Sequence, residues 1–198
     1  MDTLPDDFRW DAEAVAIGAS AGGIDALFTL FDGLPANYPL PIVTVLHVPE
    51  SHDNRLADVF AARLPLRVRE AAARAPVERG TLYFPPSGYH LLVEADRTFS
   101  LSCDPPVLFS RPSIDVLFES CADAYGARLA ALVLTGASED GARGLAQVRE
   151  AGGLAAVQSP REAAHPVMPA AAVARAQPQL VLPLARLREL LLRLGAPR

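Results

Sequence analysis

The run Gly18-Ala-Ser20-Ala-Gly22 sets a serine between two glycines. Before it lies the short apolar run 14–17. After it, Ile24, Leu27, Phe28, Leu30 and Phe31 fall at helical spacing. G-x-S-x-G between a strand and a helix is a pattern with a mechanism. Small neighbours permit a sharp turn that lifts the hydroxyl above the sheet, at the positive end of a helix where an oxyanion is stabilised. A Gly-rich turn that cradles a phosphate, or binds nothing, remains open on this segment alone. The nucleotide version lacks its other parts. Ser20 stands where G-x-G-x-x-G needs its second glycine, and the following unit ends in His47 rather than an acid.

A serine needs a base, and the base needs an acid to orient it. The histidines are His47, His52, His90 and His165. His47 closes the β-branched run 42–46, and consecutive units usually lie side by side. His165, in a later loop, suits the Ser, acid, His order of α/β-hydrolases. The residues alone leave these two as rivals, and either could be a surface histidine. His52 reads as solvated, and His90 falls in a β-rich middle section away from the strand ends. Asp140, in Thr135-Gly-Ala-Ser-Glu-Asp-Gly141, follows the apolar run 129–134 and precedes a helical stretch. It reads as an orienting acid or as the N-cap of that helix, roles that can coexist.

Composition narrows the chemistry further. The chain has 198 residues and 18 basic side chains, and all of them are Arg. Without lysine there is no Walker-type lysine, no Schiff base and no Ser/Lys dyad. The net charge of -5 argues against a broad nucleic-acid surface. Cys103 and Cys121 show neither zinc nor redox spacing and read as buried free thiols. No metal or cofactor is signalled. No signal peptide or membrane-length apolar run is present, which reads as a cytoplasmic protein.

The elements that must position these groups alternate. Residues 1–12 read as a lead-in and 13–195 as one catalytic domain. Strands are expected at 14–17, 42–46, near Val68, and at 129–134, 154–157 and 180–182. Helices are expected at 24–31, 54–64 with an Asn54 cap, 113–125, 142–151, 168–176 and 184–194. The fold class is α/β, a doubly wound and mostly parallel sheet in three αβα layers. A short antiparallel β insertion is expected around residues 81–102. Ligands bind beyond the carboxyl ends of such strands, where Ser20, His47 and Asp140 all fall.

Together these segments resemble a known family. Residues 17–27 (Ile-Gly-Ala-Ser-Ala-Gly-Gly-Ile-Asp-Ala-Leu) are similar to the nucleophile segment of chemotaxis protein-glutamate methylesterases of the CheB type. Leu46-His-Val-Pro49 resembles that family's His-x-Pro segment. Arg111-Pro-Ser-Ile-Asp-Val-Leu-Phe118 and Leu134-Thr-Gly-Ala-Ser-Glu-Asp-Gly-Ala142 match two more segments, in family order. The stretch 80–86 and Met168-Pro169 fit as well. The resemblance implies removal of methyl groups from glutamate γ-methyl esters on the cytoplasmic region of chemoreceptors, with glutamine deamidation in some members. It implies Ser20 as nucleophile, His47 as base and Asp140 as orienting acid, and so decides against His165. It also implies an oxyanion hole of backbone N–H groups at Ala21 and Ala137, and no cofactor or metal.

The sequence departs from the family pattern in three places. Ala21 replaces the usual Thr, Ala137-Ser138 the usual Met-Gly, and Ser110 the His before Arg-Pro-Ser. If the oxyanion contacts are main-chain N–H groups, the first two cost less than loss of a triad member. The third bears on substrate docking. Many members carry an N-terminal receiver domain with a phosphate-contacting lysine. Here about a dozen residues precede the first strand and there is no lysine. The expectation is a stand-alone enzyme or one regulated by a separate partner. Two other readings are a non-catalytic adaptor docking on a receptor or kinase, and a general small-ester hydrolase.

Overall fold

The structure, a computed structural model, describes residues 4–5, 7–48 and 55–196. Short apolar runs bounded by Gly and Pro become strands. The strands β1 (Ala14–Ala19), β2 (Ile42–Leu46), β3 (Arg67–Glu70), β4 (Thr81–Phe84), β7 (Leu129–Val133), β8 (Leu154–Gln158) and β9 (Leu180–Leu182) form one sheet in the order β3-β4-β2-β1-β7-β8-β9. Every pairing in it is parallel. The intervening β5 (His90–Val93) and β6 (Phe99–Ser102) pair antiparallel in a separate hairpin.

Alternate side chains of the strands feed two cores. On one face Val15, Ile17 and Ala19 pack with α1 (Gly23–Phe31), α2 (Leu56–Ala61) and α6 (Leu184–Leu194). On the other, Ala14, Ala16, Val43 and Val45 pack with α3 (Ile114–Tyr125), α4 (Ala142–Glu150), α5 (Val167–Ala176) and the β5–β6 hairpin. The result is the expected three layers. Strands covered on both faces are continuously apolar, and β1, β2 and β7 are buried at every position.

The expected antiparallel insertion is present but narrower. Residues 81–84 do not belong to it; they run parallel between β3 and β2. All four are buried, as a strand covered on both faces requires. Pro85 and Pro86 lack the N–H groups that a continuing ladder needs, so the chain leaves the sheet there. The helix expected at 54–64 is Leu56–Ala61, and Asn54 lies outside the described residues. It closes through Leu64 N–H to Phe60 O, just before Pro65, which disfavours helical geometry in the residue ahead of it. Cys121 is buried as expected, but Cys103 is exposed. It follows β6, at the start of a loop rather than on an inward face.

Phe60 ties α2 to the core. Its ring stacks on Phe28 at 4.4 Å and meets Phe84 at 4.9 Å, and it is fully buried. Phe60→Ala should cost about 3–5 kcal/mol. The check is a lower urea midpoint with an unchanged m-value.

Candidate active site

The chain starts in mid-sheet, winds outward through β2, and returns to the other side of β1 as β7. The crevice at such a reversal is where ligands bind in doubly wound sheets. The β1–β2 register runs to Ala19↔Leu46, and His47 N–H donates to Ala19 O at 3.0 Å. Ser20 and His47 are therefore the next residues on adjacent strands, about 5 Å apart along the ladder. On the other side Leu134 N–H bonds Gly18 O at 2.9 Å and Ser20 N–H bonds Thr135 O at 3.0 Å. This seats the Ser20 turn against the start of the 135–141 loop.

The turn itself depends on small residues. Gly22 has φ 75°, and a Cβ there would also crowd Ala164 at 3.1 Å. Thr135 Oγ donates to Ala21 O at 3.0 Å and fixes the orientation of that peptide. Among the described residues, the N–H groups of Ala21 and Ala137 have no acceptor. Two main-chain donors are thus unspent beside a serine, at the N-terminal end of α1.

Asp140 is fully buried. Its Oδ1 accepts from Ser113 Oγ at 2.8 Å and from Asp115 N–H at 3.0 Å. Its Oδ2 accepts from Ile114 N–H at 2.7 Å and meets His47 Nε2 at 2.9 Å. Burial alone would raise its pKa. The hydrogen bonds from His47, the two backbone N–H groups and Ser113 outweigh burial and hold the carboxyl below its ordinary value. An ionised carboxylate only accepts, so His47 Nε2 carries the proton in this contact. In the neutral ring Nδ1 is then the basic atom. It faces Ser110 Oγ at 3.4 Å. Among the described residues Ser20 Oγ has no hydrogen-bond partner.

The expected N-cap role of Asp140 is corrected in its address. The cap of α4 is Gly141, at φ 95°; Asp140 instead satisfies the N-terminus of α3. The exchange is mutual. Asp115, in the first turn of α3, accepts from Gly141 N–H at 2.9 Å and Gly144 N–H at 2.7 Å. Its own carboxyl is pushed up, first by burial and also by the charge of Asp140, against the Gly144 bond and Arg143. Each helix start is capped by the other's carboxylate, an arrangement that sequence spacing does not reveal.

Sequence reasoning also passed over His90. It is buried, and its Nδ1 accepts from Ser113 N–H at 3.1 Å while Nε2 meets Pro105 O at 3.2 Å. It thereby positions Ser113, which holds Asp140. His165 contributes its backbone to the Thr135–Gly136 turn, through N–H to Thr135 Oγ at 2.8 Å and its carbonyl to Gly136 N–H at 3.0 Å. Its side chain is exposed and makes no bond to Asp140. His52 lies outside the described residues. Among the described residues no group of three His, Cys, Asp or Glu could hold a metal ion, and no helix is long and apolar enough to cross a membrane.

The two buried carboxyls shift in opposite directions, and so do their effects on stability. Asp140, with a lowered pKa, stabilises above its unfolded value and loses that contribution as pH falls through the folded one. Asp115, with a raised pKa, costs stability as pH rises from its unfolded value through its folded one. Asp115→Asn keeps an oxygen for Gly141 and Gly144. Its melting temperature should therefore gain on the wild type between about pH 4 and pH 7, and scanning calorimetry across that range reads the difference.

Comparison with known proteins agrees with this geometry. The family profile described as CheB methylesterase matches residues 15–191. A Leptospira interrogans protein named for protein-glutamate methylesterase and protein-glutamine glutaminase activity is 42% identical over 182 residues, covering 92% of this chain and 94% of that protein. The Hahella chejuensis protein-glutamate methylesterase/protein-glutamine glutaminase 1 is also 42% identical. There the match covers 91% of this chain but only 50% of the relative. The crystal structure of the Thermotoga maritima CheB methylesterase catalytic domain superposes with a TM-score of 0.86 at 29% identity, covering 91% of this chain and 97% of that one. A serine turn, a histidine–aspartate pair at the sheet reversal, and a match spanning nearly every element lead to one conclusion: the chain belongs to the CheB methylesterase family.

Proposed function

We propose that the chain hydrolyses γ-methyl esters of glutamate on the cytoplasmic region of chemoreceptors. Ser20 is the nucleophile, His47 the base and Asp140 the acid that orients it. The observation that carries this reading is the 2.9 Å bond between His47 Nε2 and buried Asp140 Oδ2, one ladder position from Ser20. It leaves Nδ1 of His47 free to take the hydroxyl proton. Ser20 Oγ adds to the ester carbonyl as that proton moves to Nδ1. The developing oxyanion is met by the N–H groups of Ala21 and Ala137. Collapse expels methanol, which receives the proton from His47, and leaves a glutamyl ester on Ser20. Water, deprotonated by the same nitrogen, attacks this ester and restores the serine and a free glutamate carboxylate. With a glutamine amide as substrate the same steps release ammonia instead.

Neither family departure at the oxyanion side removes a donor. Ala21 and Ala137 offer main-chain N–H groups whatever their side chains. Ser110 replaces a histidine next to the base, and its hydroxyl is the present neighbour of Nδ1. Ser20 and Ser110 therefore compete for one lone pair. Regulation by a separate partner protein fits the same reading.

Ser20→Ala should remove nearly all methanol release from a methylated receptor fragment. Residual catalysis of ~10³ to 10⁴ over water is the level that binding and oxyanion donors sustain in other triads. Release at the native rate would overturn the assignment. Asp140→Asn should lose activity beyond its loss of stability, because the amide can donate to Nε2 and so favour the wrong tautomer. A destabilised but fully active variant would reduce Asp140 to a helix cap. A serine-directed phosphonate should label Ser20; no labelling would favour an adaptor. Rapid turnover of nitrophenyl acetate without methanol release from receptor would favour a general small-ester hydrolase.

A further inference from the structure

The large apolar side chains exposed among the described residues are Ile24, Val59, Tyr89, Leu108, Phe109 and Val167. All but Val59 lie on segments that carry the site. Ile24 is in the first turn of α1, just past Ser20. Tyr89 precedes His90. Val167 opens α5, where Met168 N–H bonds Gly136 O at 2.9 Å. Leu108 and Phe109 come immediately before Ser110, the neighbour of His47 Nδ1.

The Leu108-Phe109 segment is the most unusual of these. Val107 and Ser110 exchange backbone hydrogen bonds at 3.1 and 2.8 Å, closing a two-residue hairpin. Both central residues have positive φ, 47° and 64°. This is the I′ pattern, which favours Asn-Gly and disfavours bulky side chains. Leucine and phenylalanine occupy it nonetheless, and Phe109 is wholly exposed, at 103% of its reference area. Nothing within the chain rewards that placement. The hairpin is also held from behind. Arg111 Nη1 donates to Cys103 O and Asp104 O at 3.0 and 3.2 Å, and His90 Nε2 meets Pro105 O. A strained turn that presents an apolar tip from an anchored base is a preorganised contact.

We propose that the Leu108-Phe109 tip is the anchor by which the site grips its protein substrate. The occupant is the polypeptide segment that bears the glutamyl ester, with apolar side chains flanking the esterified residue. Continuity with the site argues for this occupant. Ser110 is the last residue of the hairpin and stands 3.4 Å from the base nitrogen, so any polypeptide that delivers an ester to Ser20 and His47 lies against the tip. The apolar character of the surrounding exposed residues sets the chemistry of the contact. This inference rests on the esterase reading above and adds how that substrate is recognised.

The test pairs two substrates on the full chain: a methylated receptor cytoplasmic fragment, and nitrophenyl acetate, which is too small to reach the tip. Wild type is compared with Phe109→Ser and with the double substitution Leu108→Asn, Phe109→Gly. The second supplies the residues that the turn prefers, so loss of the hairpin does not account for its effect. In both variants kcat/KM for receptor, divided by kcat/KM for acetate, should fall about tenfold or more, as for an aromatic anchor, with the change in receptor KM. A ratio equal to that of wild type overturns the proposal. So does a wild-type dimer that Phe109→Ser dissolves while the ratio holds, since the tip would then bind a second copy. A wild type inactive on both substrates sinks the esterase reading instead. Binding of the receptor fragment to the Ser20→Ala chain, weakened by Phe109→Ser or not, then decides the tip independently.

Discussion

The site depends on one buried carboxylate being kept ionised. Asp140 has no contact with solvent, and taking such a charge out of water costs several kcal/mol. The cost is met by donors that cannot move away: two N–H groups at the start of α3, the Ser113 hydroxyl and the His47 ring. The positive end of α3 adds to them. Because the helix end is itself buried, it would otherwise leave its N–H groups unsatisfied. Helix and carboxylate thus need each other. Asp115 repeats the bargain in the opposite direction with the start of α4. Together they fix the distance between two helices and, through Asp140, the orientation of an imidazole.

The sheet supplies the remaining constraint. Ser20, His47 and Asp140 follow β1, β2 and β7, which are neighbours in space although far apart in sequence. Parallel pairing sends all three strand ends to the same edge, and register sets Ser20 beside His47. Small residues let the helices approach this edge. A Cβ on Gly18 would fall 2.3 Å from Ile114, the residue whose N–H holds Asp140 Oδ2. The glycine that opens the serine motif therefore also lets α3 reach the carboxylate.

Much of this was legible in the chain. Periodicity located nearly every element, because strands covered on both faces must be apolar throughout and helices on a sheet must carry a stripe. The Gly-Ser-Gly turn and the ends of two apolar runs pointed to Ser20, His47 and Asp140. What stayed hidden was tertiary. Asp140 looked like the cap of its own helix, since spacing shows only local partners, and it caps a helix that begins 27 residues earlier in the chain. His90 looked remote because it lies in the β5–β6 hairpin, yet that hairpin packs on α3 and brings the ring to Ser113. Thr81–Phe84 looked like part of a hairpin because a run of four residues carries no sign of which strand it will pair with. The Leu108-Phe109 turn gave no signal, since its pair of residues is the opposite of what such a turn prefers.

The mutual capping of α3 and α4 has a consequence for when the chain becomes chemically competent. Neither carboxylate finds its donors until residues 113–115 and 140–144 are docked, and both must be docked before the imidazole acquires a fixed proton. Collapsed but unassembled chains would hold an unoriented histidine and a solvated aspartate, and so remain inert towards esters. Hydrolytic competence is then a property of the assembled helix pair. Turnover per molecule would count native chains in a population, much as a fluorophore that lights only on folding would.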